Sequence, residues 1–554
     1  MKRCFFGMLL MTIGVSALAA DVSVLDRAES MVLGERIYRD GLLPDGKPLK
    51  GYVRGDVEID STMFSCANCH SRGGLGSIEG QVASPPVNGA SLYNPRYLYK
   101  DQIKNTISKS RGVSRSAKQL RPAYTDESLA TALVAGVNPD GREFIPIMPR
   151  YMLEERDMKI LVNYLKQLSA EFSPGVTSEI MRFATIITDD VSPEDRAALT
   201  GILDALVTIN QQTREQRKHP QFSKMFRMLD TAYFRYITID RWELKGPPET
   251  WRSQLEDYYR KGPVFAVLGG ISGKSWQPMH DFCEQNRIPC LFPVTDLPVI
   301  SDSSWYTMYA SKGYYQEGET AARFISRVET TEPKRILQIV TPTPEGEALA
   351  SGFESAWKES GQGQVETLRL GPDQKIPESE IRELLRKSGP RTVLVWGGPE
   401  SLPVLEMVAG QAPDSDCFLS SRYLGKGLKS IPENLRDRVY ITYPFRMPED
   451  EKRFEGYAEL LQLGNHVHNN EKRIGSRTFS MVHVFLEGLK EMRLDFYRDT
   501  LLDVIGMMPD QYLPDFERYS FGPGQRYASK GCYVVQLGKG TNPEIIKKSD
   551  WVVF

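Results

Sequence analysis

The spacing of apolar positions changes partway along this chain, and the change divides it. Ahead of Ser173-Pro174-Gly175 the periodic stretches are helical. Asp26 to Arg39 predicts a helix with Met31, Ile37 and Tyr38 as core contacts and Gly34 open to a close neighbour. Glu154 to Leu168 predicts an amphipathic helix with Met158, Leu161, Val162, Leu165 and Leu168 on one face. Between them Leu43-Pro44-Asp45-Gly46 reads as a turn, and Gly51 to Ile59 alternates roughly as a short hairpin does. Beyond the linker, apolar strands alternate with amphipathic helices. Phe183 to Ile187 is a strand, and Ser192-Pro193-Glu194 opens a helix whose apolar positions are Ala198, Leu199, Ile202, Leu203 and Leu206. Val264 to Leu268, Arg335 to Val340, Thr392 to Trp396 and Val439 to Thr442 are further strands with helices between them. That alternation predicts parallel sheets covered on both faces, and the stretch is long enough for two lobes.

Composition changes this picture little. The chain has 554 residues, a formal net charge of −2, 41% hydrophobic and 25% charged residues. This is ordinary for a globular protein of several domains and gives no case for nucleic acid as a partner. The first residues say more. Lys2 and Arg3 precede an apolar run from Phe5 to Val15, and Ala17-Leu18-Ala19 supplies small residues for cleavage. The expectation is a signal peptide over residues 1–19, with Cys4 lost alongside it, and a periplasmic mature protein. The run is too short to cross a bilayer, and no later stretch reaches the length of a transmembrane helix. The expected domains are residues 20–172 and 177–554.

The strongest chemical signal is Cys66-Ala67-Asn68-Cys69-His70. Cysteines three apart share a helix face and can reach the two vinyl groups of one porphyrin, while the next histidine supplies a nitrogen to the iron. One covalently attached haem c is therefore the expected cofactor. A zinc site needs more ligands, and no other Cys or His lies between Ala20 and Lys218. A redox dithiol calls for a strand-to-helix setting, whereas glycine-rich sequence follows here. With His70 the domain's one histidine, the sixth ligand falls to methionine. Met148 lies in Ile145-Pro146-Ile147-Met148-Pro149-Arg150, pinned by two prolines ahead of a packing helix. Met63, Met152 and Met158 compete less well. Arg96 to Arg121 is basic, with Lys100, Lys104, Lys109, Arg111, Arg115 and Lys118 against Asp101, which suits either docking on an acidic redox partner or a solvated face.

Cys283, Cys290, Cys417 and Cys532 remain, an even number for an oxidising compartment. Three pairings and free buried thiols are all open. In the α/β half, ligands are expected at strand ends. Gly269-Gly270-Ile271-Ser272-Gly273-Lys274-Ser275 is such a loop, and its Gly273-Lys274-Ser275 echoes a P-loop, yet Leu268 stands where that motif requires glycine. Tyr309-Ala310-Ser311 and Trp396-Gly397-Gly398-Pro399-Glu400 are two further strand ends. No Ser/His/Asp or metal-hydrolase motif is present, and no catalytic residue is assigned. His466 and His468 flank Val467 in a loop.

On these residues, 27 to 170 resemble a class I mono-haem cytochrome c: Gly34 and Tyr38 in the first helix, Cys66 to His70 at the attachment turn, Met148-Pro149-Arg150-Tyr151 as the methionine loop, and Glu154 to Leu168 as the last helix. The resemblance implies a small all-α domain and a proline carbonyl, from Pro85 or Pro86, that orients the proximal imidazole. It departs in a long insertion between Tyr38 and Cys66. The second half resembles a type I periplasmic solute-binding protein of the branched-chain amino acid class, through Val264-Phe265-Ala266-Val267-Leu268-Gly269 with its glycine-serine loop, Arg287 to Pro293, Gly346 to Trp357 and Phe479 to Leu489. That resemblance implies a two-lobed α/β domain closing on a small ligand held by Ser272, Ser275, Ala310 and Ser311, with Trp276 and Tyr309 adding aromatic bulk. The family's acidic grip on the ligand ammonium has no identified counterpart. The whole chain then reads as an electron-transferring cytochrome fused to a binding module, with a periplasmic dehydrogenase or another cytochrome as its redox partner. The alternatives are a solute-binding or sensing protein with a regulatory haem, and a haem enzyme with a labile sixth ligand.

Overall fold

A computed structural model describes residues 27–97, 120–218, 235–327, 334–360, 365–371, 376–450, 473–492, 495–522 and 524–553, apart from residues 56 and 81. The chain forms two compact units, one ending at Ala170 and the other starting at Glu171. The leader, most of the basic stretch after Arg96, and His466 with His468 lie outside the described residues.

In the first unit, the described elements are α1 (Arg27–Asp40), β1 (Lys50–Val53), β2 (Val57–Asp60), α2 (Cys66–His70), β3 (Ser77–Glu79), β4 (Val82–Ser84), α3 (Gly89–Leu92), β5 (Arg96–Tyr97), β6 (Leu120–Arg121), α4 (Asp126–Ala135), β7 (Arg150–Tyr151) and α5 (Glu155–Gln167). The first and last helices cross at Gly34. A Cβ there would lie 2.4 Å from Tyr164 Cβ and 3.0 Å from the Ile160 carbonyl, so only a bare backbone lets the helices approach this far. Tyr38 and Tyr164 pack beside the crossing with ring centroids 5.6 Å apart. Ile37, Leu49 and Leu161 are wholly buried in the core formed around it, each contributing roughly 1.5–3 kcal/mol.

The unit is not all-α. The insertion between Tyr38 and Cys66 folds as the β1–β2 hairpin, with Val53 opposite Val57, and β7 adds to its free edge through Gly51–Tyr151 and Tyr52–Arg150. Two more antiparallel pairs, β3–β4 and β5–β6, follow. The reason is hydrogen bonding: the insertion carries backbone groups that a helix-only scaffold would leave unpaired.

The second unit begins with β8 (Ile180–Thr188), α6 (Pro193–Lys218), β9 (Tyr236–Leu244), α7 (Trp251–Lys261), β10 (Ala266–Leu268), α8 (Gln277–Gln285), β11 (Cys290–Leu291) and β12 (Thr307–Ser311). The second lobe follows as α9 (Tyr314–Arg327), β13 (Ile336–Val340), α10 (Pro344–Glu359), β14 (Val365–Arg369), α11 (Glu378–Ser388), β15 (Thr392–Trp396), α12 (Pro403–Gln411), β16 (Asp416–Ser420), α13 (Ser421–Leu424) and β17 (Val439–Tyr443). The chain then returns through α14 (Ile474–Met492), α15 (Arg498–Gly506) and β18 (Tyr527–Ser529) before β19 (Gly531–Leu537), β20 (Ile545–Lys547) and β21 (Val552–Val553).

The strands form two sheets. One is parallel throughout, in the order β18-β12-β11-β10-β8-β9. The other runs β14-β13-β15-β16-β17-β19-β20, parallel as far as β17 and antiparallel beyond it. The chain passes between the sheets three times: from β12 into α9, between β17 and α14, and from β18 into β19. The two-lobed architecture expected from the strand–helix alternation is therefore present. Ser192 caps α6 by accepting from the Asp195 amide at 3.1 Å, and Leu199, Ile202, Leu203 and Leu206 are buried beneath it. Phe485 on α14 meets Phe183 on β8 edge to face at 5.0 Å, which returns the chain to the first lobe.

Candidate functional site

In the first unit, Ser65 adopts extended backbone and α2 follows as a single turn carrying Cys66, Cys69 and His70. Cys66 is buried and Cys69 exposed. His70 is buried, with Nδ1 2.8 Å from the Pro85 carbonyl oxygen. A carbonyl can only accept, so Nδ1 carries the proton and Nε2 presents its lone pair. Burial holds the imidazole below its ordinary pKa, against the opposing pull of the Pro85 bond, which favours the neutral ligand form. Pro85, not Pro86, makes this contact. Its carbonyl comes close because Gly76 has φ +80° and no side chain: a Cβ there would lie 2.1 Å from the Ser84 oxygen. Tyr38 ties the far side of the turn by donating to the Ser71 carbonyl at 2.7 Å.

Met148 closes a turn onto Ile145, its amide donating at 3.0 Å, and packs half-buried against the core of this unit. The Arg150 guanidinium holds that turn by donating to the Met148 carbonyl at 2.7 Å and lying over the Phe144 ring. The other methionines are placed differently: Met63 and Met152 are exposed and Met158 is core. Tyr151, unnoticed as a contact in the sequence, joins the two halves of the constellation. Its buried hydroxyl is 3.8 Å from Cys66 Sγ. Burial pushes the Cys66 thiol up to about 11 and raises Cys69 as well. Among the described residues, no group of three or more His, Cys, Asp or Glu side chains could hold a metal ion. The donor set instead suits a porphyrin: two thiols on one helical face, a neutral imidazole with one nitrogen committed and one free, and a methionine in a tied loop.

In the second unit, the Gly269–Ser275 loop folds back on β8, with the Gly273 amide donating to Asp190 Oδ1 at 3.2 Å. Ser272 Oγ accepts from the Lys274 amide at 3.0 Å and Ser275 Oγ from the Gln277 amide at 3.2 Å. Both hydroxyls cap backbone, and their O–H groups stay free to donate. Trp276 does not bring aromatic bulk to the loop. It is wholly buried, with its ring against Gly270, because α8 begins at the next residue and turns the indole into the first-lobe core. Tyr309 is likewise core, accepting or donating at 2.9 Å to His280 Nδ1 and stacked on Tyr527. Ala310 and Ser311 are buried within β12, where Ser311 Oγ accepts from the Gly313 amide at 3.1 Å. They form the crossover rather than an open loop. In Trp396-Gly397-Gly398-Pro399-Glu400, Glu400 accepts from the Gly398 amide at 2.9 Å and closes the turn on itself.

The strand end overlooked in the sequence is the one after β11. Its Asp296 carboxylate accepts from Arg422 Nη1 at 2.8 Å and from Arg477 Nη1 at 2.9 Å. Arg422 follows β16 in the second lobe, while Asp296 and Arg477 belong to the first, so this pair spans the lobes. Glu317 on α9 completes the cluster. Its Oε2 accepts from Ser420 and Thr442, each at 2.8 Å, and its Oε1 is 3.5 Å from Arg422 Nε. The available signal was modest: a charged residue two to five positions beyond each of two apolar strands, Asp296 after β11 and Arg422 after β16.

Burial pushes Glu317 up to about 7, opposed by Arg422 and the two hydroxyls. A carboxyl whose folded pKa exceeds its unfolded one contributes stability at low pH and loses it as pH rises through the folded value. The melting temperature of the second unit should therefore fall as pH rises from about 4.5 to about 7, through a contribution on the order of 1–3 kcal/mol. Glu317→Gln should flatten that dependence; an unchanged slope in thermal melts would remove Glu317 as its source.

The four cysteines beyond the first unit are free thiols, with Cys283 hydrogen-bonded to Cys290. No helix among the described residues is long and apolar enough to cross a membrane.

A family model described as periplasmic binding protein matches residues 235–542. Comparison with curated proteins gave no match. Among solved structures, the chain is similar to a branched-chain amino acid ABC transporter from Thermus thermophilus with bound valine, at 12% identity over 68% of this chain and 98% of that one, TM-score 0.47. It is also similar to an ABC transporter substrate-binding protein from Desulfitobacterium hafniense, at 12% identity over 66% and 100%, TM-score 0.48. A fatty acid ABC transporter substrate-binding protein from Thermomonospora curvata gives 12% identity over 69% and 95%, TM-score 0.45.

Proposed function

Because this chain belongs to the periplasmic binding protein family, we propose that its second unit captures a small, amino-acid-like solute between its lobes in the periplasm. The observation that carries this reading is the family match, which runs through both sheets and the crossovers that let two lobes hinge. Ser272 and Ser275 offer hydroxyl donors for such a solute at one strand end.

In the first unit, Cys66 and Cys69 would attach a haem c covalently, and His70 and Met148 would supply its iron with nitrogen and sulfur donors. The neutral His70 imidazole fixed by Pro85 supports this reading. When bound, haem supplies reversible one-electron exchange. The chain's own residues set its terms: Pro85 orients the imidazole, Arg150 holds the methionine loop, and Tyr151 shields the buried thiol side. The haem then serves either as a sensor in the same chain as the capture unit or as a carrier toward a periplasmic dehydrogenase or another cytochrome. A visible spectrum of the mature protein tests the ligand set. A c-type reduced spectrum with an iron–methionine band, unchanged by carbon monoxide, is expected. Ready carbon monoxide binding would mean that Met148 is not a ligand.

A further inference from the structure

The Asp296–Arg422–Arg477 cluster contains more donors than acceptors. Two guanidinium groups, each only 4% exposed, share the single Asp296 carboxylate. Arg422 Nη2 and Arg477 Nε are buried and have no hydrogen-bond partner. Leaving a buried N–H without an acceptor costs about 1–3 kcal/mol, more for a charged group, so two such donors converging on one carboxylate mark a place for a missing acceptor. Arg422 faces Asp296 and Glu317, with Tyr314 and Cys532 also against it, and Arg477 faces Asp296 and the buried Asp515.

The surroundings restrict what the acceptor can be. Tyr314 and Phe445 lie against the Arg422 guanidinium, their ring centroids 5.8 and 5.1 Å from its Cζ. Aromatic walls favour an organic group over a hydrated inorganic ion. Asp296, Glu317 and Asp515 already face the two guanidinium groups, which disfavours a phosphate dianion. The remaining Arg422 edge suits the planar, charge-assisted geometry of a carboxylate.

We infer that Arg422 is the specificity-determining residue of the solute site and holds the carboxylate of a small organic monoacid from the second lobe, with Arg477 supporting the same charge. This rests on the capture reading above and adds the substrate class. It also reverses the polarity expected from the resemblance, in which a second-lobe acid grips an ammonium.

Calorimetric titration of the mature full-length protein with isovalerate, benzoate, their alcohols isopentanol and benzyl alcohol, and L-leucine tests it. At least one carboxylate should bind, at least tenfold more tightly than its alcohol. Arg422→Lys keeps a charge but removes Nη2, and it should weaken that carboxylate tenfold or more. Asp296→Asn keeps Arg422, removes the resident carboxylate, and should tighten the same acid at least threefold; this second variant decides the matter if the first does not fold. Equal binding of acid and alcohol, or acid binding untouched by Arg422→Lys, overturns the assignment while capture stands. Binding of none of the five overturns both.

Discussion

Mature protein carrying Cys66→Ala and Cys69→Ala is expected to show no covalent haem on a denaturing gel stained for peroxidase activity, where the unsubstituted chain gives a band at its own mobility. The effect should be all or none, because thioether links survive denaturation and axial ligation does not. The two sulfurs share one face of α2, and that turn is fixed from both sides by Tyr38 on Ser71 and by the Pro85 carbonyl on His70. The apo fold should therefore persist in the double variant, and circular dichroism should retain the helical signal of the α1–α5 pair. Staining equal to that of the parent would dismiss the attachment site.

The second large effect is expected at Gly318→Val. Helices α9 and α10 cross through two glycines that face each other's backbone. A Cβ on Gly318 would lie 2.0 Å from the Leu349 carbonyl oxygen, and one on Gly352 would lie 2.0 Å from the Tyr315 carbonyl oxygen. Neither neighbour is a side chain that could swing aside. Valine must push the helices apart, which strips contact from Leu349 and Phe353 in the second-lobe core. A loss of about 3 kcal/mol or more should result, lowering the melting temperature of that unit by roughly 4 °C or more. A shift within the error of scanning calorimetry would mean that the crossing can widen freely. Since α9 also carries Glu317, the variant should disturb the interlobe cluster too.

Much of the fold was legible because it depends on periodicity. The α5 face, the α6 cap at Ser192 and Thr392–Trp396 follow directly from apolar spacing and local capping chemistry. Gly34 was legible as a close approach, although its partner, Tyr164, was not. What escaped the sequence was pairing at a distance. The Arg150–Tyr151 strand is two residues long, and its place beside β1 is set by hydrogen bonds to a hairpin about a hundred residues earlier. Likewise, period and hydrophobicity show that Trp276 is aromatic and follows a loop, but they do not say which way α8 turns it. For the solute site, the glycine-serine loop was visible as a strand end. The Asp296–Arg422 pair was not, because its members are far apart in sequence and single charges after strands usually face water. In the first unit, the motif singled out Cys66, Cys69 and His70, while the choice of Pro85 over Pro86 depended on the turn that Gly76 permits.

Mass spectrometry of protein isolated gently from the periplasm, compared under native and denaturing conditions, tests the central claim most directly. The denatured chain should keep the mass of one haem, and the native protein should carry in addition a small organic molecule lost on denaturation. A native mass equal to the denatured mass, even after exposure to the five test solutes, would contradict solute capture. A denatured mass matching the bare polypeptide would contradict the haem.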